Sequence, residues 1–143
     1  MNDPMPTAAS IYATCHCLGL QRAARATARR YDEALRPAGI TSGQFAILSA
    51  LLRDEAMPLG TLADLLGLER TTLTRNLVPL EAAGLVVSAA ANRDRRVRAV
   101  ALTKTGRGCI AEALPLWQAA QHDSEARLTS PWSVVRPALQ QLT

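Results

Sequence analysis

Apolar residues in the first quarter of the chain recur every three or four positions, which is the pattern of an amphipathic helix. Residues 8–36 include one glycine and no proline, and Pro37 follows, so a single long helix is expected there. Ile11, Cys15 and Leu18 lie on a second side of this helix, which predicts contacts with both its own core and a partner subunit. The main apolar stripe consists of Ala13, Cys17, Leu20, Ala24, Ala28, Tyr31 and Leu35.

Polar residues at fixed spacing predict where the next helices begin and end. Thr41 and Gln44 have the spacing of a capping box, so a helix should begin there and run to about Arg53. Further helices are expected near 60–66 and 70–83, and Gly84 should end the second of them. The buried side of the first of these three helices is expected to contain Phe45, Leu48 and Leu52.

The pattern changes after Gly84 to two short apolar segments, 85–90 and 97–103, which predict a β-hairpin. A helix should follow from Lys104 to about Leu128, bent or interrupted near Pro115. Ser130 and Pro131 suit the cap and the first position of a last short helix.

Composition agrees with a mainly α-helical protein. The chain has 143 residues and 48% apolar residues, mostly alanine and leucine, which fits one domain rich in helix. The net charge of +4 permits a polyanionic partner without requiring one. Three cysteines, no apolar segment long enough for a membrane and no signal-peptide pattern predict a cytoplasmic protein with reduced thiols and no membrane partner.

Residues 62–77 indicate the function. The spacing of Ala63, Gly67 and Leu73 lets a short helix turn sharply and pack against a longer one, as in helix-turn-helix DNA-binding proteins. On the longer helix Leu73, Leu77 and Leu80 should face inward. This leaves a polar side for double-stranded DNA, made of Thr71, Thr72, Thr74, Arg75 and Asn76.

The chemistry of these side chains suits base recognition. Arginine can bridge guanine O6 and N7, asparagine can do the same for adenine, and threonine offers a methyl group or a hydroxyl. We expect Arg75 to contact bases, and some of Thr71, Thr72 and Asn76 to bind phosphates. The hairpin tip that follows is charged: Asn92, Arg93, Asp94, Arg95 and Arg96.

Taken together, these motifs resemble the MarR family of bacterial winged helix-turn-helix regulators. The most specific similarity is Asp94-x-Arg96 followed by Leu102-Thr103 and Gly106, and weaker similarities extend over nearly the whole chain. The resemblance implies a mainly α fold with a β-hairpin wing, and a homodimer whose first and last helices interlock. It divides the chain into an N-terminal arm and dimerisation helix (1–36), a winged helix-turn-helix region (37–103) and C-terminal dimerisation helices (104–143).

The resemblance also implies roles for the wing. Arg95 or Arg96 matches the arginine that family members insert into the minor groove, where a narrow A·T tract concentrates negative potential. Asp94 should brace an arginine, most simply Arg96. Ser88 and Ala89 stand where family members often carry a basic residue, which weakens the expected grip on phosphate.

Two kinds of signal are compatible with such a regulator. Cys17 resembles the sensing cysteine of the peroxide-responsive members, with Tyr31 as a companion, although Cys17 also fits a small buried hydrophobe. Alternatively a small phenolic or aromatic acid binds, with Arg22 or Arg25 pairing with its carboxylate. Cys15 and Cys17 would point roughly 200° apart on one helix, so the Cys15-His16-Cys17 triplet should hold neither a metal nor a disulfide.

Other functions fit the sequence less well. A thiol oxidoreductase would need the usual two-residue spacing between its cysteines, and no phosphate loop, nucleophile elbow or paired carboxylates support an enzyme, so no cofactor is expected. A winged helix used only for protein interaction would lack salt-sensitive DNA binding.

Overall fold

The computed structural model describes residues 5–91 and 94–143, and the surroundings of side chains outside 91–97. Its elements include seven α-helices, a 3-10 turn and three strands over that part of the chain. In chain order they are α1 Ala8–Thr14, α2 His16–Leu35, the 3-10 turn Arg36–Ala38, α3 Ser42–Ala50, β1 Met57–Pro58, α4 Leu59–Leu66, α5 Arg70–Ala82, β2 Val86–Ala91, β3 Asp94–Leu102, α6 Lys104–Glu125 and α7 Trp132–Gln140. The mainly α architecture with a hairpin wing is confirmed.

The first helix differs from the prediction of one continuous segment. The backbone of Cys15 is extended (φ −73°, ψ 109°), so α1 ends before it and α2 begins after it. The Cys15 sulfur accepts a bond from the Leu18 amide at 3.5 Å and so caps α2. Periodicity could not reveal this break, because the apolar spacing continues across it.

The third helix is shorter than predicted. Thr41 and Gln44 form the expected capping box, and the Asp32 carboxylate accepts a further bond from the Ser42 amide at 2.6 Å. The helix ends at Ala50, so the expectation that Leu52 is buried is wrong, and this side chain is 50% exposed.

Two expectations about prolines also need correction. Pro115 lies inside α6, which continues unbroken to Glu125. Pro131, rather than Ser130, is the N-cap of α7, one residue later than predicted.

The three strands form one antiparallel sheet in the order β1-β3-β2. Met57 lies opposite Val100, and Val86 lies opposite Leu102, with a bulge between Ala90 and Ala91. The core lies between this sheet and the helices that surround it. Its fully buried large side chains are Leu35, Ile47, Leu48, Leu51, Leu62, Leu73, Leu77, Leu80 and Val100.

The junction between the wing and α6 is a close backbone contact. The Thr103 hydroxyl lies 2.6 Å from the Gly84 carbonyl oxygen and accepts a bond from the Gly106 amide at 3.0 Å. A Cβ atom on Gly106 would lie 2.1 Å from the Leu85 carbonyl oxygen, so only glycine fits there. The Leu102-Thr103-x-x-Gly106 motif is therefore the sequence signature of this junction.

Gly106→Ala is expected to destabilise the protein by about 1–3 kcal/mol, because the obstructing atom belongs to the backbone and cannot rotate away. Urea unfolding monitored by circular dichroism measures the change. Gly108→Ala is the matched control in the same helix, where no atom lies within 4 Å of the added methyl. The control should gain about 0.5–1 kcal/mol of stability from helix propensity. Equal effects of the two substitutions would refute the contact.

Candidate nucleic-acid interface

Helices α4 and α5 are joined by a tight turn at Gly67. Gly67 is left-handed (φ 64°), and the Leu68 amide bonds back to the Ala63 carbonyl at 2.9 Å. A residue with a side chain would be strained at this φ, which explains the glycine in the predicted motif. The turn sets α5 across α4, as the helix-turn-helix prediction required.

Helix α5 has one buried and one polar side. Leu73, Leu77 and Leu80 are at most 1% exposed, which confirms their predicted inward orientation. The predicted DNA-contacting residues all lie outside the core: Thr71 and Arg75 are exposed, and Thr72, Thr74 and Asn76 are half-buried. The burial of the leucines thus determines which side of α5 faces solvent.

Within this polar side, Thr74 is partly committed to its own helix. Its hydroxyl donates to the Arg70 carbonyl oxygen at 2.8 Å. Since a threonine hydroxyl has one proton, Thr74 can offer an incoming partner only its methyl group and lone pairs.

Arg70 is a basic residue near this face that the sequence analysis missed. It begins α5, and its guanidinium lies over α4, where a Cβ on Gly60 would meet Nη2 at 2.7 Å. Gly60 therefore leaves room for the guanidinium between the two helices. Its place at the first turn, apart from the run 71–76, gave no signal in the sequence.

The base of the wing is fixed to α5 through Glu81. This carboxylate accepts hydrogen bonds from the Ser88 hydroxyl on β2 and from the Arg98 guanidinium on β3, the latter at 2.5 Å. The bond from Ser88 and the bond and positive charge of Arg98 hold the pKa of Glu81 below its usual value of 4.5, against a smaller opposing effect of burial. One carboxylate thus ties the end of α5 to both strands.

Arg98 also explains the unusual residue at position 88. The sequence analysis noted that Ser88 lacks the expected basic side chain, and Arg98 supplies a positive charge from the facing strand, two residues along from Ser88's partner Val100. Sequence alone could not find this pair, because the two residues meet only in the observed strand register.

The wing tip is only partly described. The backbone of Asp94, Arg95 and Arg96 belongs to β3, and their side chains lie outside the description. Arg93 lies outside the described residues altogether. Their predicted contacts with DNA remain predictions.

Cys17 does not occupy a buried position in the single chain. It is exposed, its sulfur accepts a bond from Gln21 Nε2 at 3.4 Å, and Gln21 in turn accepts one from Arg25 at 3.1 Å. The interpretation of Cys17 as a small core residue is therefore wrong within one protomer.

The structure does not bring together the predicted sensing residues within one chain. Cys17 and Tyr31 are fourteen residues apart on α2, about 21 Å along the helix axis. The Tyr31 hydroxyl instead donates to Gln121 of α6. Cys15 lies at the helix break, so the geometric argument that assumed one continuous helix for Cys15 and Cys17 does not hold as stated.

Cys109 is half-buried on α6, with its sulfur 4.0 Å from the Ala38 carbonyl oxygen. Burial, with a smaller effect of the Glu112 charge, raises the pKa of the Cys109 thiol above its ordinary value. The thiolate needed for oxidation or cross-linking is thus disfavoured there.

Searches of the described residues for metal and membrane sites gave negative results. None of the described His, Cys, Asp and Glu side chains cluster in a way that could hold a metal ion. Across 5–91 and 94–143, no helix is long and apolar enough to cross a membrane.

Comparison with known proteins gives consistent results. A helix-turn-helix domain model matches residues 34–89. The transcriptional regulator MosR of M. tuberculosis, solved in complex with DNA, is 38% identical, with 90% of this chain and 92% of that chain covered and a TM-score of 0.82. No curated protein sequence matches the chain.

Two more distant structures share the fold. A cysteine-to-serine mutant of MarR from E. coli, complexed with operator DNA, is 23% identical, with 92% and 97% of the two chains covered and a TM-score of 0.81. CouR from Rhodococcus jostii, bound to p-coumaroyl-CoA, is 24% identical, with 91% and 90% covered and a TM-score of 0.74.

Glu81→Gln is expected to lower stability by about 1 kcal/mol at neutral pH, since it removes an ion pair that is partly open to solvent and weakens a hydrogen bond. Because the folded-state pKa of Glu81 is lowered, its stabilising effect is complete above pH 4.5 and is lost as the pH falls through the folded-state value. The stability difference between wild type and variant, measured by chemical unfolding across pH, should therefore close in acid.

The control for this experiment is Asp64→Asn, on the exposed surface of α4, where the described residues offer no ion pair. It should change stability by less than about 0.5 kcal/mol at every pH. A Glu81→Gln difference that persists undiminished well below pH 4.5 would contradict the ionised contact.

Proposed function

Because the chain belongs to the MarR family of winged helix-turn-helix regulators and is a DNA-binding transcriptional regulator, we propose that it acts as a homodimeric repressor of a pseudo-palindromic operator. The observation that carries this proposal is the two-sided α5, whose leucines are buried while Thr71 and Arg75 face solvent. This helix would enter the major groove, and the wing arginines would reach the adjacent minor groove.

Within α5, Arg75 is the proposed base-reading residue. Its exposed guanidinium suits a bidentate contact with guanine. Thr71, Thr72 and Asn76 would bind phosphates or neighbouring bases, and Thr74 would present its methyl group. In the wing, Arg95 or Arg96 would enter the minor groove, with Arg93 near the phosphates and Asp94 bracing an arginine.

Unburied apolar side chains support the proposed homodimer. Neither α1 nor α7 has a buried residue in the single chain, although both carry large apolar side chains. Tyr12 is 62% exposed, Trp132 39% and Val134 61%. Interlocking the two ends of the chain with those of a second copy would cover these side chains. The divisions 1–36, 37–103 and 104–143 are the corresponding proposed units.

Two release signals are proposed as alternatives. One is a small aromatic or phenolic acid, a class consistent with the p-coumaroyl ligand of CouR, with Arg22 near the carboxylate and Tyr31 lining the site. The other is oxidation of Cys17, assisted by Cys15. Its support is that Cys17 is exposed and linked through Gln21 to the positive charge of Arg25.

Arg75→Ala is expected to relax sequence preference at one operator position, with a loss of about 1–3 kcal/mol on the preferred site. Arg96→Ala should instead weaken binding to all sequences alike. DNA fragments selected by the wild-type protein, followed by gel-shift titration of both variants at several salt concentrations, measure these effects. Footprints should show two half-sites about one helical turn apart.

Two results would contradict this assignment. One is unchanged selectivity of Arg75→Ala, and the other is a footprint on a single asymmetric half-site. Arg53→Ala is the control, because Arg53 lies in the segment that follows α3, away from α5 and the wing.

For the redox alternative, mild peroxide should convert the Cys17 thiol to sulfenic acid, with water as the second product, and release the DNA. Mass spectrometry and gel shifts before and after treatment with dithiothreitol measure modification and its reversal. Cys17→Ser should remain bound to DNA under peroxide, whereas Cys109→Ser should behave like wild type. If all three thiols stay unmodified and DNA binding persists, oxidation is not the signal.

A further inference from the structure

A basic groove runs along the outer side of α2, away from the buried Leu35. It consists of two adjoining open cavities that share Ala26 and Arg29. The first, of about 660 Å³, lies between α2 and α6, and the second, of about 490 Å³, lies along the N-terminal half of α2. We call this the α2 groove; its arginines are Arg22, Arg25, Arg29, Arg30 and Arg127.

The positive charge of the groove is not neutralised within the described part of the chain. The ion pairs found there join other residues, and none involves a groove arginine. Of the two acids at the first cavity, Glu33 is paired with Arg36 outside the groove, which leaves Asp123. Five arginines beside one available carboxylate favour an occupant with more than one negative charge.

Two buried polar atoms also lack partners at this site. Arg30 Nε and Ser124 Oγ are shielded from solvent and have no hydrogen-bond partner, and both residues line the first cavity. The one described bond of the Arg30 guanidinium joins Nη2 to Thr27 Oγ1 at 3.2 Å. An unpaired buried donor is costly, and rotation of either side chain into the open cavity would let it bond to an oxyanion.

The floor of the first cavity is made of small apolar side chains. Ala120 is 6% exposed, and Ala26 and Ala34 are half-buried. Alanines leave room for the carbon skeleton of a ligand while the arginines surround its charged groups. The groove belongs to α2 and α6, whereas α5 packs against α4 and β2, so it is a different surface from the polar side of α5.

We propose that the α2 groove binds a small organic anion with at least two oxyanion groups, either carboxylates or phosphates. One oxyanion bonds to Arg30, Ser124 and Arg127, and a second lies along Arg22, Arg25 and Arg29. This inference rests on the proposed regulation by a small molecule, since Arg22 belongs to both sites, and it adds the charge and position of the ligand.

Isothermal titration calorimetry of the full chain at constant ionic strength tests the proposal. Citrate and pyrophosphate are the two probes, which separate the carboxylate source from the phosphate source, and acetate is the singly charged control. We expect at least one of the two multivalent probes to bind in the range of micromolar to low millimolar concentrations, at least tenfold more tightly than acetate.

Variants locate the binding. Arg30→Gln and Arg127→Gln should each weaken the bound probe at least tenfold, and Arg53→Gln, a matched loss of one arginine outside the groove, should leave it unchanged. Arg127 is exposed, so its variant gives a result even if Arg30→Gln folds poorly. Binding that is equally strong in Arg127→Gln and wild type, or no heat from either multivalent probe, would overturn the proposal.

Gel shifts separate this inference from the proposed regulation. If a probe that binds through Arg30 and Arg127 leaves DNA affinity unchanged, the groove stands and release by its ligand fails. If DNA is released by a ligand whose binding Arg127→Gln does not weaken, the regulation stands and the groove is wrong.

Discussion

The structure depends on the burial of one side of α5. Leu73, Leu77 and Leu80 are closed off from solvent against the core, and each such side chain contributes about 1.5–3 kcal/mol when it leaves water. Rotating α5 about its axis would expose all three and bury Thr71 and Arg75 without partners. Hydrophobic packing therefore fixes which side chains the helix presents, and it does so without any partner molecule.

Two smaller contacts carry this orientation into the wing. Glu81 ties the last turns of α5 to Ser88 and Arg98, and Gly106 lets α6 approach the Leu85 carbonyl closely. The wing is thus attached at its base to the recognition helix on one side and to α6 on the other. A shift of the long helices can move the wing through these contacts, because neither of them leaves slack.

Periodicity and turn chemistry predicted most of the fold. The Thr41 capping box, the glycine turns and the leucine spacing of α5 are local signals, and local geometry satisfies them. The break at Cys15 was not predictable, because it changes the backbone of one residue without changing the apolar pattern. The exposed face of α5 followed from the same leucines, but Arg70 and Arg98 could not be assigned, since their contacts depend on helix packing and strand register.

The register of the hairpin has a consequence for how the wing can vary. Arg98 lies opposite Ala90, just inside the bulge between Ala90 and Ala91, so the contact with Glu81 is completed before the chain reaches the tip. A one-residue slip between β2 and β3 would turn Arg98 to the opposite face of the sheet. Insertions beyond the bulge leave that register intact. The tip is therefore free to change in length and charge over evolution, and DNA preference can diverge there without loosening the domain that carries it.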